Sequence, residues 1–502
     1  MQALPSSDEI LINVTPMEVR VALIENGVVQ EVYLERSSRL GLVGNVYQGQ
    51  VVRVLPGMQA AFVEIGLQRT GFIHANDLWW PGKGGDEEGR ECAHPPIQEL
   101  LHEGQIVTLQ VIKDMLGSKG PRLSAEISLA ARYLVYMPYA QNSGVSQRIE
   151  DEAERLRLRQ LLQELQIQAE QRGQKNGHFI VRTAAEGIAD SEHLQRDFLF
   201  LQKLWSQIQE AARTISQPFC IHEEWPLAQR SVRDLDGDRV ARIRIDSRET
   251  LLKLQTFSRD FMPASLAKLE HYSGERPVFE LFEVEEDLKK ALSRKVMLKS
   301  GGYLMIDQTE AMTTIDVNTG SFVGHRSLEE TVFKTNLEAT QVIARQLRLR
   351  NLGGIIIIDF IDMEEVTHRS SVLKNLERML ERDHAKTKIT QVSELGLVEM
   401  TRKRTRESLE HVLCEHCPTC EGRGSVKSAE TVCNEIFRDI LREARAYESA
   451  GAFVVIASQR VIDRFLDEDS SSVADLEQFI GKPIRFQVEA MYHQEQFDLV
   501  LV

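Results

Sequence analysis

Four consecutive isoleucines run into an acid at 355–359 (IIIID), directly after Gly353-Gly354. β-Branched side chains pack well on a pleated strand and lose rotamer freedom in a helix. Apolarity that is continuous rather than alternating predicts a strand buried on both faces. The flanking segments supply the rest of a unit. YLMID (303–307) and MTTIDVN (312–318) read as strands, and 327–350 carries Phe333, Leu337, Ala344 and Leu347 on one helical stripe. Gly353-Gly354 is expected to end that helix. Strand, crossover helix and strand make a parallel, right-handed βαβ unit. In an open α/β sheet, functional groups gather at the C-terminal ends of such strands.

Three polar residues fall at that edge. Asp316 and Asn318 are two apart on one strand, so their side chains share a face. Asp359 ends the next parallel strand. Two carboxylates held close repel unless a proton or a cation joins them. Carboxylate and amide oxygens suit a hard ion such as Mg²⁺, commonly held this way where phosphates are processed. Asp316 and Asp359 are therefore candidate Mg²⁺ ligands. The alternative is that Asp316 caps a turn and Asp359 the following helix. Asp307 and Asp362 compete for the same roles, so spacing leaves the choice of carboxylates open.

A chain of 502 residues is too long for one core and implies three or more domains. Its formal net charge of −15 speaks against indiscriminate binding to nucleic acid, although RQLRLR (345–350) and TRKRTR (401–406) form local basic clusters. Each cluster reads as an RNA track or as a solvated helix face or strand end. No apolar run is long enough to span a bilayer, and MQALPSSDEI lacks the pattern of a secretory signal. The sequon at Asn13 is then idle. Six cysteines in this length fit a reducing cytoplasm.

Short alternating runs from residue 10 onward, with Asn26-Gly27 between two of them, predict hairpins and then a small closed barrel over 43–114. The Gly-, Pro- and charge-rich stretch 79–97 reads as an exposed insertion. Phe62, Phe72, Lys113 and Lys119 are candidates for stacking bases and holding phosphates on the barrel, the alternative being that both phenylalanines are core. Arg182 and Thr183, at the end of HFIVRT, could clamp a terminal phosphate, or simply end a strand. CEHCPTC (414–420) holds two overlapping C-x-x-C pairs whose thiolates suit tetrahedral zinc. One pair supplies two ligands, so His411 or His416 completes the site or a second chain does. The competing reading is a redox pair.

Four segments, GGYLMIDQTEAMTTIDVNTGSFVGHR, EATQVIARQLRLRNLGGIIIIDFIDM, LGLVEMTRKRTRESLEHVLCEHCPTC and HQEQFDLVLV, resemble the bacterial ribonuclease E/G family. The likeness extends from ILINVTP to the last residue. The short chain without a long C-terminal extension resembles the G branch of that family. This resemblance implies an α/β multidomain protein. An RNase H-like fold, split between 1–38 and 217–290, would carry an inserted S1-type barrel (39–130) and a 5′-sensor region (131–216). A DNase I-like α/β catalytic domain (291–411), a zinc link (412–425) and a small C-terminal α/β domain (426–502) would follow. It implies a cytoplasmic, Mg²⁺-dependent, single-strand-specific endoribonuclease leaving 5′-phosphate ends, acting on ribosomal and transfer RNA precursors and messenger RNA. Asp316 and Asp359 match its magnesium ligands and Asn318 the amide that positions the scissile phosphate. Arg182 and Thr183 match its 5′-monophosphate pocket, and Phe62, Phe72, Lys113 and Lys119 its RNA-gripping face. Cys417 and Cys420 match a structural zinc pair shared between two chains of a homodimer, which could pair again into a tetramer. Cys414 is an extra thiol and a further candidate ligand. Asp362 stays a bystander. Two rivals remain: a non-catalytic S1-type RNA adaptor, and a redox-regulated assembly protein with a CPTC disulfide.

Overall fold

The computed structural model describes residues 8–38, 41–80, 95–115, 120–140, 142–149, 151–171, 177–187, 191–237, 239–320, 328–393, 396–404, 406–447 and 451–502. Met1–Leu409 and Glu410–Val502 form two compact units. Among the described residues, no helix is long and apolar enough to cross a membrane.

The first unit begins with the predicted hairpin. Asn26 and Gly27 both adopt positive φ (51° and 77°), which matches the right-handed twist of the strands they join, Glu18–Glu25 and Val28–Arg36. These strands and Asp8–Val14 share a sheet with Val240–Ile245 and Leu269–His271 from much later in the chain. The intervening chain builds two further sheets. Val46–Leu55, Ala60–Glu64, Gly71–His74, Arg122–Ser124 and Ile106–Lys113 pair in a ring that closes when the last meets the first. Closure leaves the ring itself no open edge, and Phe219–His222 adds a sixth strand beside Val46–Leu55. A smaller sheet containing Leu134–Met137 and His178–Val181 packs against two long helices, Glu152–Gln171 and Ser191–Thr214.

The six-stranded sheet over 295–402 holds the βαβ unit. Its order is Lys295–Met297, Tyr303–Gln308, Met312–Asn318, Gly354–Asp359, Val398–Arg402, Thr387–Val392. Met312–Asn318 and Gly354–Asp359 are parallel, and the helix Leu328–Leu349 connects them. Two expectations are corrected. The isoleucine strand is not buried on both faces: Ile356 and Ile358 are sealed at 0% exposure, whereas Ile355 is 48% exposed. The helices Leu328–Leu349 and Val366–Leu380 pack on one side of the sheet. Among the described residues, one strand pair is parallel and the rest of the sheet is antiparallel, and such a sheet can leave a face to solvent. The long helix is closed by Asn351 in the left-handed region (φ 48°) rather than by the two glycines. Gly353 serves a close approach instead, since a Cβ there would lie 2.7 Å from Arg404 Cγ.

Most of the arginines in the basic clusters are engaged within the fold, while Lys403 and Arg404 stay exposed. Arg345 pairs with Asp287 at 2.6 Å and donates to Val29 O. Arg348 is buried between Glu25 (2.6 Å) and Glu31 (2.9 Å), tying the long helix to the N-terminal sheet. Arg402 makes a two-pronged bond to buried Asp383 (2.7 and 3.0 Å) and also reaches Leu352 O. Arg406 donates to Val32 O and lies over the Tyr33 ring at 3.7 Å. Guanidinium groups paired this way are fixed parts of the architecture.

In the second unit the central strand Phe453–Ala457 pairs parallel with Ile484–Val488 and antiparallel with Phe497–Leu501. The helices Ala429–Ala446, Gln459–Leu466 and Ser470–Ile480 contribute Ile436, Phe465 and Val473 to its core.

Candidate active site and RNA-binding surfaces

Strand register decides what the open face of the six-stranded sheet presents. Asp316 and Asp359 are direct partners across the parallel pair. Their neighbours Ile315, Val317 and Ile358 point into the core, so both carboxylates project from the solvent face. Asn318 lies on that face, and its Nδ2 donates to Asp316 Oδ2 at 2.8 Å. The Asp359 carboxyl is held above its ordinary range, first by partial burial, then by the charges of Asp316 and Asp362. A raised carboxyl beside a second acid marks a site where a cation would be favoured. Carboxylate oxygens from opposed strand positions, with an amide beside them, fit a hard divalent ion by donor type and convergence.

The competing acids separate. Asp307 is engaged by Arg294, whose hydrogen bond first of all draws its pKa down. It is therefore already neutralised. Asp362 is exposed and acts on Asp359 through space. The turn that carries it is held by Asn336, a fully buried side chain of the long helix. Its Nδ2 donates to Ile361 O at 2.8 Å and its Oδ1 accepts from Ile361 N at 3.1 Å. Sequence reasoning missed Asn336, although an amide on the apolar stripe of a helix was the available signal. Backbone crowding fixes the other end of the site. A Cβ on Gly302 would lie 2.7 Å from Asn318 O, and one on Gly320 (φ +59°) 2.4 Å from Gly301 O.

On the barrel, register aligns a row across four strand pairings: Arg53 opposite Phe62, Phe62 opposite Phe72, Phe72 opposite Arg122, and Arg122 opposite Lys113. Phe62 is 36% exposed and meets Phe72 edge-on, with ring centroids 5.9 Å apart. The two rings are thus outside the barrel core formed by residues such as Val63 and Ile73. Lys113 is exposed at the end of the row. Arg122 pairs with Asp77 at 2.8 Å. Arg53 and Arg122 were not singled out from sequence because alternation alone does not reveal cross-strand partners. Lys119 and residues 81–94 of the 79–97 insertion lie outside the described residues.

Arg182 and Thr183 are adjacent but differently placed. Arg182 donates to Ala131 O at 2.6 Å and pairs with Asp234 at 2.8 Å. Thr183 opens a short 3₁₀ turn and is exposed. Behind them, buried Asp197 accepts from the backbone N–H groups of Tyr133 (2.6 Å) and Leu134 (3.3 Å). Burial pushes its carboxyl up to about 6.

Cys414 and Cys417 are exposed and Cys420 is half-buried, and all three are free thiols. The turn around them is tight: Glu421 N donates to Cys417 O, and Glu421, Gly422 and Gly424 all have positive φ. The Cys420 N–H, then the Thr419 N–H and the Cys420 side chain, draw the Cys417 thiol below its ordinary range. Thiolate character suits a soft metal ligand. Among the described residues, no group of three or more His, Cys, Asp or Glu side chains is gathered for a metal ion. The two C-x-x-C thiols would therefore need ligands from elsewhere.

A model described as "Ribonuclease E/G family" matches residues 128–405, one described as "S1 RNA binding domain" matches 42–125, and "RNase E/G, Thioredoxin-like domain" matches 416–501. The chain is 52% identical over 495 residues to ribonuclease G of Escherichia coli, covering 98% of this chain and 99% of the relative. It is 50% identical over 496 residues to ribonuclease G of Haemophilus influenzae, again covering 98% and 99%. Similarity to ribonuclease E of Escherichia coli is 36% over 473 residues, which is 93% of this chain but 43% of the relative.

Proposed function

The chain belongs to the ribonuclease E/G family, and we propose that this endoribonuclease hydrolyses phosphodiester bonds of single-stranded RNA at the edge formed by Asp316, Asn318 and Asp359. The observation that carries the reading is the cross-strand pairing of two same-facing acids, one with a raised carboxyl pKa. Asp316 and Asp359 would hold Mg²⁺. When bound, a divalent ion supplies charge neutralisation and Lewis-acid polarisation at a phosphate. Asn318 orients Asp316 through its Nδ2 and can turn the same donor toward a phosphoryl oxygen as charge develops there. Asn336 keeps Asp359 and Asp362 in place by fixing the intervening turn.

Substrate is gripped by the barrel row. Phe62 and Phe72 offer ring surface to unpaired bases, and Lys113 and Lys119 meet phosphates. Arg182 and Thr183 bind a 5′-monophosphate, the phosphate taking over the Arg182 guanidinium from Asp234. Products carry 5′-phosphate ends, and the substrates are ribosomal and transfer RNA precursors and messenger RNA. The S1-type barrel and 5′-sensor region interrupt an RNase H-like fold, and the 291–411 domain is DNase I-like. Cys417 and Cys420 share one structural zinc with the same pair of a second chain, Cys414 being a further candidate, and the homodimer is the working form in the cytoplasm.

The contrasting reading is an RNA adaptor that uses the barrel alone. Asp316→Asn separates the two. Enzyme action requires cleavage to fall by about 10³-fold with RNA affinity retained. An adaptor would lose nothing.

A further inference from the structure

The same register that pairs the two acids extends across the open face toward the sheet edge. Tyr303 is the direct partner of Asn318, and Met305 of Asp316. One strand further, Lys295 opposes Met305 and Met297 opposes Tyr303. Opposed residues in an antiparallel pair share a face, so these four side chains stand on the solvent side with the acids. Met297 is 61% exposed, Lys295 is exposed and Tyr303 is partly exposed. The Lys295 ammonium lies 3.9 Å from the Tyr303 ring centroid. An aromatic ring bearing a cation thus sits one cross-strand step, about 5 Å between Cβ atoms, from the amide that flanks the acids.

We propose that Tyr303 and Lys295 form a nucleotide subsite next to the scissile phosphate, a reading that rests on the catalytic edge proposed above. The base of a neighbouring nucleotide stacks on Tyr303, with exposed Met297 extending the apolar floor. Lys295, on a flexible stem, exchanges the ring for a phosphate oxygen. Two features favour this use over a surface pair. The acids repel an RNA backbone, so a cation beside them offsets that repulsion. A base stacked on Tyr303 must also be unpaired, which makes the subsite a local selector for single strands.

The test is cleavage of a short 5′-monophosphorylated single-stranded RNA with one cut site, and of versions with a single abasic ribose at each position flanking the cut. Wild type is expected to lose about tenfold in kcat/KM at one abasic position within two nucleotides of the cut, the effect of one lost base–aromatic stack. Tyr303→Ala is expected to raise KM about tenfold on the intact RNA, to keep kcat within about twofold, and to show no further loss at that abasic position. Tyr303→Phe restores both. Lys295→Ala, at an exposed position where folding is not at risk, raises KM and lowers the salt dependence of binding by about one phosphate contact. Wild-type KM in both Tyr303→Ala and Lys295→Ala, or an undiminished abasic penalty in Tyr303→Ala, overturns the subsite. If Asp316→Asn is inactive in the same assay, that outcome removes the subsite alone. If Asp316→Asn cleaves normally, the catalytic edge itself is removed.

Discussion

Asp359 and Asp197 are both acids with raised pKa values, and the difference between them separates a site from a scaffold. Asp359 is raised in part by two further carboxylates on an open face. Asp197 is raised to about 6 chiefly by burial, while two backbone N–H groups satisfy it. Its folded pKa exceeds the ordinary 3.8, so the fold binds a proton more tightly than the unfolded chain. The stabilising contribution of that proton is full below pH 4 and is lost as pH rises through about 6. Asp197→Asn keeps an acceptor and removes the buried charge. Thermal melting should therefore find the variant gaining on wild type between about pH 4 and pH 6, by an amount on the order of 2 kcal/mol, and holding that gain above pH 6. A difference independent of pH would contradict the assignment. At this scale the sequence was informative where side chains alternate. Asp316 and Asn318 share a face by parity alone. Asn336 and Arg122 act through partners 25 and 45 residues away, which local spacing does not encode.

The elements owe their positions to buried polar links as much as to apolar cores. Arg402 and Asp383 are both almost fully buried and bonded twice. Removing one member leaves an uncompensated charge, and Arg402→Ala should cost about 3–5 kcal/mol in chemical denaturation. Arg348→Ala should do the same by freeing Glu25 and Glu31 between the long helix and the N-terminal sheet. A loss below about 1 kcal/mol in both would show that these arginines are surface charges, as their clustering in sequence suggested. Those clusters were misleading because composition reports charge and not its partner. The isoleucine run misled differently. Strand type was legible from β-branching, but the same residues suit a covered or an open face, and only the antiparallel neighbours decide which. The Asn26-Gly27 hairpin was legible because both positive φ angles are demanded locally.

For the whole molecule, sequence pattern could announce a barrel and a βαβ unit, but not that strands 240–271 return to the N-terminal sheet, since that pairing spans more than 200 residues. The cysteines raise a matching question at the level of assembly. Metal analysis of the reduced protein should find about half a zinc per chain, and Cys417→Ser with Cys420→Ser should yield metal-free monomers in sedimentation. One zinc per chain, or dimers that survive the double substitution, would contradict a shared link. Arg182→Ala should abolish discrimination between 5′-monophosphate and 5′-triphosphate RNA in competition cleavage, and an unchanged preference would remove the sensor assignment. The proposed catalysis rests on residues 316 and 359 serving one divalent ion, and the Mg²⁺ dependence of cutting tests that most directly. On a short fluorescent single-stranded RNA, wild type should cut only when Mg²⁺ is supplied, and Asp359→Asn should lose about 10³-fold at saturating RNA. Undiminished cutting in a chelator, or by Asp359→Asn at low Mg²⁺, would contradict it.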